Sequence, residues 1–142
     1  MTLLNINHKN KNNMTKEQIF AAFAYNIATV DGSLADSEVK RIADLADAND
    51  LDRNAVLRAC QAEVDNQSNL SSLVPYMTED DKDLAIFGMV RIAVADGRIA
   101  IKEMQRVHTV CESFGWGAQY VTIKFVQQLK KNPSLLVEGV DF

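Results

Sequence analysis

The sequence has few cysteines, prolines and glycines, and it has no long apolar run. It contains two cysteines, two prolines and six glycines in 142 residues. Cys60 and Cys111 have neither a CxxC partner nor a nearby histidine, so we expect two buried hydrophobic side chains in a reducing compartment. No apolar run approaches the roughly 18 residues of a membrane span, and the N-terminus lacks the apolar core of a secretory signal. We therefore expect a cytoplasmic protein without a transmembrane segment.

The chain also lacks an excess of basic residues. Fifteen lysines and arginines against 19 aspartates and glutamates give a net charge of -4. Apart from residues 8–13 and the pair Lys130-Lys131, the basic residues are interleaved with acids and form no patch, which argues against nucleic-acid binding. The lysine- and asparagine-rich residues 1–13 are expected to be a flexible leader. With 47% apolar and 24% charged residues overall, we expect residues 14–142 to fold as a single domain.

Catalytic motifs are missing as well. The sequence contains no G-x-S-x-G, P-loop or dinucleotide-binding glycine pattern. His8 and His108 have no cysteine or second histidine spaced to complete a zinc site with them. The carboxylates lie in polar turns, whereas acid–base catalysis needs carboxylates whose pKa values are shifted by an apolar pocket. The sequence therefore predicts a protein that is not an enzyme.

Apolar residues recur at helical spacing along most of the chain. Thr15 and Gln18 form a capping box, which predicts that the first helix begins there. In the third of these helical stretches, residues 56–64, the apolar positions include Val56, Cys60 and Val64. No segment alternates with period two, so we predict an all-α fold, a compact bundle of about six or seven helices. We expect residues 84–95 to be the buried central helix and the apolar residues 135–142 to dock on the bundle. The apolar stripes cover residues 19–30, 39–46, 56–64, 84–95, 104–114 and 121–129.

One motif occurs twice. Residues 26–51 align without gaps on residues 91–116, at an offset of 65 residues. Two copies of a helix-turn-helix unit suggest a pseudo-symmetric bundle in which each copy buries its apolar stripe against the other. The matched positions are Asp31-Gly32 with Asp96-Gly97, Leu34 with Ile99, Glu38 with Glu103, and Arg41 with Arg106.

The repeated pattern IA-x-x-DG-x-[LI]-x-x-x-E resembles the signature of the TerB-like tellurite-resistance family. The resemblance covers roughly residues 15–131, and the second copy, from Ala95 to Glu103, fits best. It implies an all-α fold, an acidic surface that binds metal ions, and a role in tellurite or other stress responses. A protein partner is also compatible with it, and the oligomeric state, including a dimer, stays open.

The Asp-Gly motif also matches the second half of a calcium-binding EF-hand loop. The early ligand positions of such a loop hold Ile27 and Thr29 in the first copy, and Ile92 and Val94 in the second. Three of these four side chains offer no oxygen. The sequence therefore excludes a genuine EF-hand.

Two interpretations of the repeated turns remain open. In the first, the turns are purely structural, with Gly32 and Gly97 at positive φ and Leu34 and Ile99 anchoring each turn to the core. In the second, carboxylates converge on a weakly bound Ca²⁺ or Mg²⁺ ion, and the two turns share one end of the bundle. The first copy is the better metal site because no basic residue lies between its acids. The predicted ligands, called the acidic face below, are Asp31, Asp36, Glu38, Asp96 and Glu103.

Overall fold

α-Helices make up most of the described structure, and six of them have both ends within it. The computed structural model describes residues 14–30, 32, 35–95, 98–117, 119–120, 123, 127, 131 and 136–137. This confirms the predicted all-α fold, although the leader and most of the predicted helix over 121–129 lie outside the described residues. The elements are α1 (Lys16–Ala28), α2 (Asp36–Ala48), α3 (Arg53–Asn66), α4 (Leu70–Leu73), a 3-10 turn (Val74–Tyr76), α5 (Glu79–Ala93), β1 (Arg98–Ile99), α6 (Ile101–Ser113) and β2 (Leu136–Val137).

Side-chain caps fix where the longer helices begin. The predicted capping box is present at α1, where the Gln18 amide donates to Thr15 Oγ1 at 3.1 Å and the Thr15 amide donates to Gln18 Oε1 at 2.8 Å. Thr78 and Asp81 form the same reciprocal pair at the start of α5. Asp52 caps α3. These local bonds satisfy amide donors that a helix start leaves unpaired.

The core is built around α1 and α5. We predicted α5 as the buried central helix, and residues from Ala85 to Ala93 are buried along most of it. Helix α1 shares that position, since eight of its 13 residues are buried, and it packs against both α5 and α3. Among the described residues, no helix is both long and apolar enough to cross a bilayer.

The sequence repeat is a structural repeat. Helices α1 and α2 form the first unit, and α5 and α6 form the second. An offset of 65 residues relates the two units. It separates the end of α1 from the end of α5, the start of α2 from the start of α6, and the end of α2 from the end of α6. The predicted pair of matched helix-turn-helix units is therefore confirmed at the level of helix boundaries.

A short parallel pairing joins the second turn to the C-terminal part of the chain. Arg98 pairs with Leu136, and Ile99 pairs with Val137. We expected the apolar tail to dock on the bundle, and its two described residues are held by this backbone ladder. Ile99, predicted to anchor the second turn, has strand backbone, and its side chain lies outside the described part.

Both cysteines are thiols rather than disulfide partners, and both are buried, as predicted from their place in apolar stripes. Burial, followed by the nearby negative charge of Glu63, raises the pKa of the Cys60 thiol to about 11. The thiolate is the reactive form of cysteine, so Cys60 remains an inert hydrophobic side chain at neutral pH.

Candidate functional site

The acidic face is described at three of its five residues. Asp36 is the first residue of α2 and is exposed, and Glu38 lies two residues further along the same helical turn. Glu103 occupies the position in α6 that matches Glu38 in α2, and it is half-buried. The other two predicted ligands, Asp31 and Asp96, lie outside the described residues, as do the turn residues Leu34 and Gly97.

Glu38 has a structural role in the first turn. Its Oε1 atom accepts a hydrogen bond of 3.1 Å from the amide of Ala35, the residue that precedes α2. Alanine has no side-chain oxygen, so of the two reciprocal bonds of a capping box only the one to Glu38 is made by a side chain. One oxygen of this predicted metal ligand is therefore already engaged in holding the turn.

Gly32 gives the first turn its backbone conformation. Its φ angle is +136°, a region that residues with a Cβ atom rarely adopt, and its amide donates to Thr29 O at 3.0 Å. A Cβ atom placed there would meet no atom within 4 Å. The need for glycine is thus conformational rather than steric.

The substitution Gly32→Ala is expected to lower the free energy of unfolding by about 1–3 kcal/mol, the usual cost of an unfavourable backbone region. Chemical denaturation followed by circular dichroism measures it. Gly117→Ala is the matched control, because a Cβ there also meets nothing within 4 Å and its φ is not positive. It should change the stability by less than about 1 kcal/mol. Equal effects at the two positions would contradict the conformational role of Gly32.

Asp36 differs from Asp44 and Asp47, the last two acids of α2, because these already have cationic partners. Lys40 Nζ and Arg53 Nη1 each lie 2.8 Å from a carboxylate oxygen of Asp44, and Arg53 also contacts Asp47 at 2.8 Å. The hydrogen bonds from Lys40 and then Arg53 lower the pKa of Asp44 below its ordinary value. For Asp36, the described part of the chain provides no ion pair. Glu38 likewise has no ion pair there, and Asp36 is the more exposed of the two.

A preformed metal cluster is not found in the part of the chain that the structure describes: no three His, Cys, Asp or Glu side chains there come together as a metal site. At the first turn the sequence places three carboxylates, those of Asp31, Asp36 and Glu38. Oxygen ligands of this kind suit a hard cation such as Ca²⁺ or Mg²⁺ rather than a transition metal.

A polar cavity of about 340 Å³ lies next to the first turn, between α1, α3 and α6. It brings Gly32 of the first unit beside Arg106 of the second, so elements of the two repeats meet here. Apart from Ala22 and Gly32, every residue in its lining has a side chain with a polar atom. The lining residues are Ala22, Tyr25, Asn26, Thr29, Gly32, Glu63, Gln67, Ser68 and Arg106.

Two charged side chains in the cavity wall are held by neutral partners. Glu63 is 7% exposed, and its two oxygens accept hydrogen bonds from the Ser68 amide at 3.0 Å and the Ser68 hydroxyl at 2.6 Å. Arg106 Nη1 donates to Asn26 Oδ1 at 2.6 Å. Within the described residues no carboxylate oxygen lies within 4 Å of Arg106, so Glu63 and Arg106 share the cavity without forming an ion pair.

The sequence pattern did not single out this cavity, and it placed one residue wrongly. Val64 was assigned to the apolar stripe of α3, but it is 45% exposed, whereas Glu63 is buried. On a helix of 3.6 residues per turn, Glu63 lies about 20° from Val56 and Val64 about 80°. The spacing of Val56, Cys60 and Glu63 is therefore the signal that marks a charged residue on the buried face.

Comparison with protein families gives a match over most of the chain. The family model described as Tellurite resistance protein TerB matches residues 17–122. A comparison with curated proteins and one with solved structures each gave no match. The family match begins in the first turn of α1 and continues past α6, so it includes both repeat units and every residue that lines the polar cavity.

Proposed function

Because the chain belongs to the TerB family of tellurite-resistance proteins, we propose that it acts in the response to tellurite or a related stress by binding a divalent metal ion. The role is not catalytic, and the ion binds at the acidic face. The first turn, with Asp31, Asp36 and Glu38, is the stronger half of this site. In the second copy, Arg98 and Lys102 lie between Asp96 and Glu103 and weaken the attraction for a cation.

The observation that carries this proposal is the unequal pairing of the acids in α2. Asp44 and Asp47 are neutralised by Lys40 and Arg53, but exposed Asp36 has no cation within 4 Å among the described residues. A carboxylate at the first position of α2 is favoured by the helix dipole without any counterion. Helix folding thus keeps a charged oxygen ligand at the surface, beside a turn that contains a second acid, Asp31.

The test is calorimetric titration of Ca²⁺, Mg²⁺ and Zn²⁺ into the wild-type protein and into Asp31→Asn and Asp36→Asn. We expect weak binding of Ca²⁺ or Mg²⁺, with a dissociation constant of about 10⁻⁴–10⁻³ M, because so few charged ligands are present. Each variant should weaken binding by about tenfold, since affinity follows the number of charged ligands. Asp80→Asn is the control, because Asp80 is likewise exposed in the first turn of a helix.

Absence of heat with every ion, or equal loss in the Asp80→Asn control, would remove metal binding from the proposed function. The second candidate would then stand: a protein-interaction module in which the Asp-Gly turns are purely structural. The Glu38 cap and the positive φ of Gly32 favour that role for the first turn. Its test is whether Asp36→Arg abolishes co-purification of a partner from cells while Asp80→Arg does not.

A further inference from the structure

The polar cavity holds two opposite charges that do not neutralise each other. The Glu63 carboxylate enters from α3, and the Arg106 guanidinium enters from α6. From this arrangement we propose that the cavity binds a small zwitterion of the α-amino acid class, with its ammonium group at Glu63 and its carboxylate at Arg106. The proposal is independent of metal binding at the acidic face.

The buried carboxylate of Glu63 supports the ammonium half of the proposal. It is the one charged side chain among the described residues that is buried, and its hydrogen bonds come from a neutral amide and a neutral hydroxyl of Ser68. Burying a carboxylate is costly unless a cation or several hydrogen bonds compensate. Each oxygen retains a second lone pair beyond its bond to Ser68, so a ligand ammonium group can still be accepted.

Arg106 supports the carboxylate half. Its guanidinium has five N–H donors, and the hydrogen bond that the structure gives it uses one of them, to the amide oxygen of Asn26. A planar guanidinium matches a carboxylate with two parallel hydrogen bonds. The bond to Asn26, in α1, uses Nη1, so the Nε and Nη2 donors keep the geometry that pairs with a carboxylate. Arg41, the repeat counterpart of Arg106, is exposed instead, so this arrangement is specific to the second unit.

The charge of the cavity selects among ligand classes. A simple oxyanion would be attracted by Arg106 and repelled by Glu63, and a simple cation would experience the reverse. A molecule with both charges satisfies both side chains, and the side-chain amide of Gln67 remains for its other polar atoms. A volume of about 340 Å³ is at the lower end of the roughly 300–1,000 Å³ of small-molecule sites, which fits a single amino acid.

A ligand can reach the cavity from solvent on the side where its wall consists of exposed residues. Gly32 and Gln67 are exposed, while Tyr25, Asn26 and Thr29 are half-buried. Gln67 ends α3 in the left-handed region, with φ of 44°, a conformation that is strained for a residue other than glycine. This backbone geometry directs the chain from α3 into Ser68, which binds Glu63, and so shapes the wall that holds the carboxylate.

The experiment is NMR titration of the full-length ¹⁵N-labelled protein with the proteinogenic L-amino acids, added one at a time. We expect at least one to shift the amide resonances of Ser68 and Gly32 in a saturable way. Ser68 is the sharper reporter because its amide donates to Glu63. For the amino acid that binds best, the matching amine without the carboxylate and the matching acid without the ammonium group should each bind at least about tenfold more weakly.

Three variants test the two halves of the site. Glu63→Gln and Arg106→Gln should each weaken amino-acid binding by about 10- to 100-fold, the usual worth of a hydrogen bond to a charged group. Arg41→Gln is the matched control, and it should bind as the wild type does. If Glu63→Gln fails to fold, Arg106→Gln together with the amine and acid analogues decides the question.

Three outcomes would overturn the proposal. One is that no amino acid shifts Ser68 or Gly32. Another is that the amine or the acid analogue binds as tightly as the amino acid, which would assign the cavity to a single charge. The third is that a neutral polyol such as glycerol binds wild type as well as the best amino acid and is unaffected by Arg106→Gln. Metal titration of the acidic face is unaffected by any of these results.

Discussion

Replacing Phe23 with alanine is expected to lower the free energy of unfolding by about 3–5 kcal/mol. Phe23 is fully buried in α1, and its ring centroid lies 5.8 Å from that of Phe114, which follows α6. Truncation removes apolar burial and an aromatic contact between the two repeat units, and it leaves a cavity in the core. Alanine has a higher helix propensity than phenylalanine, but the difference is less than about 1 kcal/mol and offsets only a small part of this loss of stability. A small domain is stable by only about 5–15 kcal/mol, so the loss is a large fraction of the total.

Urea denaturation of Phe23→Ala can be followed by circular dichroism and by the fluorescence of Trp116, the one tryptophan. Its ring lies 5.2 Å from Phe114 in an edge-on arrangement, so its emission reports on the same aromatic cluster. Val64→Ala is the control, because Val64 is 45% exposed, and it should change stability by less than about 0.5 kcal/mol. A loss below about 1 kcal/mol for Phe23→Ala would mean that the α1–α6 contact does not hold the units together.

Helix starts could be predicted from the sequence because their determinants are local. The pair Thr15 and Gln18 lies three residues apart, and so does the pair Thr78 and Asp81, and each pair forms its reciprocal hydrogen bonds within one turn. Such bonds depend on neighbouring residues rather than on the rest of the fold. The same applies to the repeat, because its matched segments give α2 and α6 the same length of 13 residues.

The polar cavity was missed for the opposite reason. Arg106 and Asn26 are 80 residues apart, and they meet only because α6 packs beside the end of α1. Helical periodicity gives the face on which a residue lies but not the helix that the face meets. The pairing of β1 with β2 is similarly non-local, since it joins residues 98–99 to 136–137. Contacts of this kind follow from packing, so a single sequence did not reveal them.

Glu63 is an intermediate case. Its position on the buried side of α3 could have been read from its spacing to Val56 and Cys60, but a glutamate there conflicts with the rule that buried positions are apolar. Such conflicts tend to occur at functional sites, where a local rule is broken for a purpose. The cavity beside Glu63 fits that expectation, and its proposed amino-acid ligand gives the buried charge a partner.

The substitution Gly88→Val is expected to lower the free energy of unfolding by about 3 kcal/mol, at the upper end of the usual cost of overpacking. Gly88 lies inside α5 at its contact with α1, where a Cβ atom would sit 2.7 Å from Cε1 of Phe20 and 3.3 Å from Cδ1. Phe20 is 1% exposed, so its ring cannot swing into solvent to make room. The sequence presents Gly88 only as a gap in an apolar run, whereas the structure shows that it allows the two central helices to approach each other.

A double-mutant cycle separates this close approach from the general weakness of glycine in helices. Gly88→Ala should gain about 1 kcal/mol of helix propensity and lose about 1–3 kcal/mol to the clash, so the two effects largely offset each other in the wild-type background. In a Phe20→Leu background the clash is relieved, and the same substitution should become stabilising. Equal effects of Gly88→Ala in the two backgrounds, measured by urea denaturation, would contradict a direct contact between Gly88 and Phe20. A coupling of about 1 kcal/mol or more would identify that contact as what sets the spacing of α1 and α5, and hence of the two repeat units.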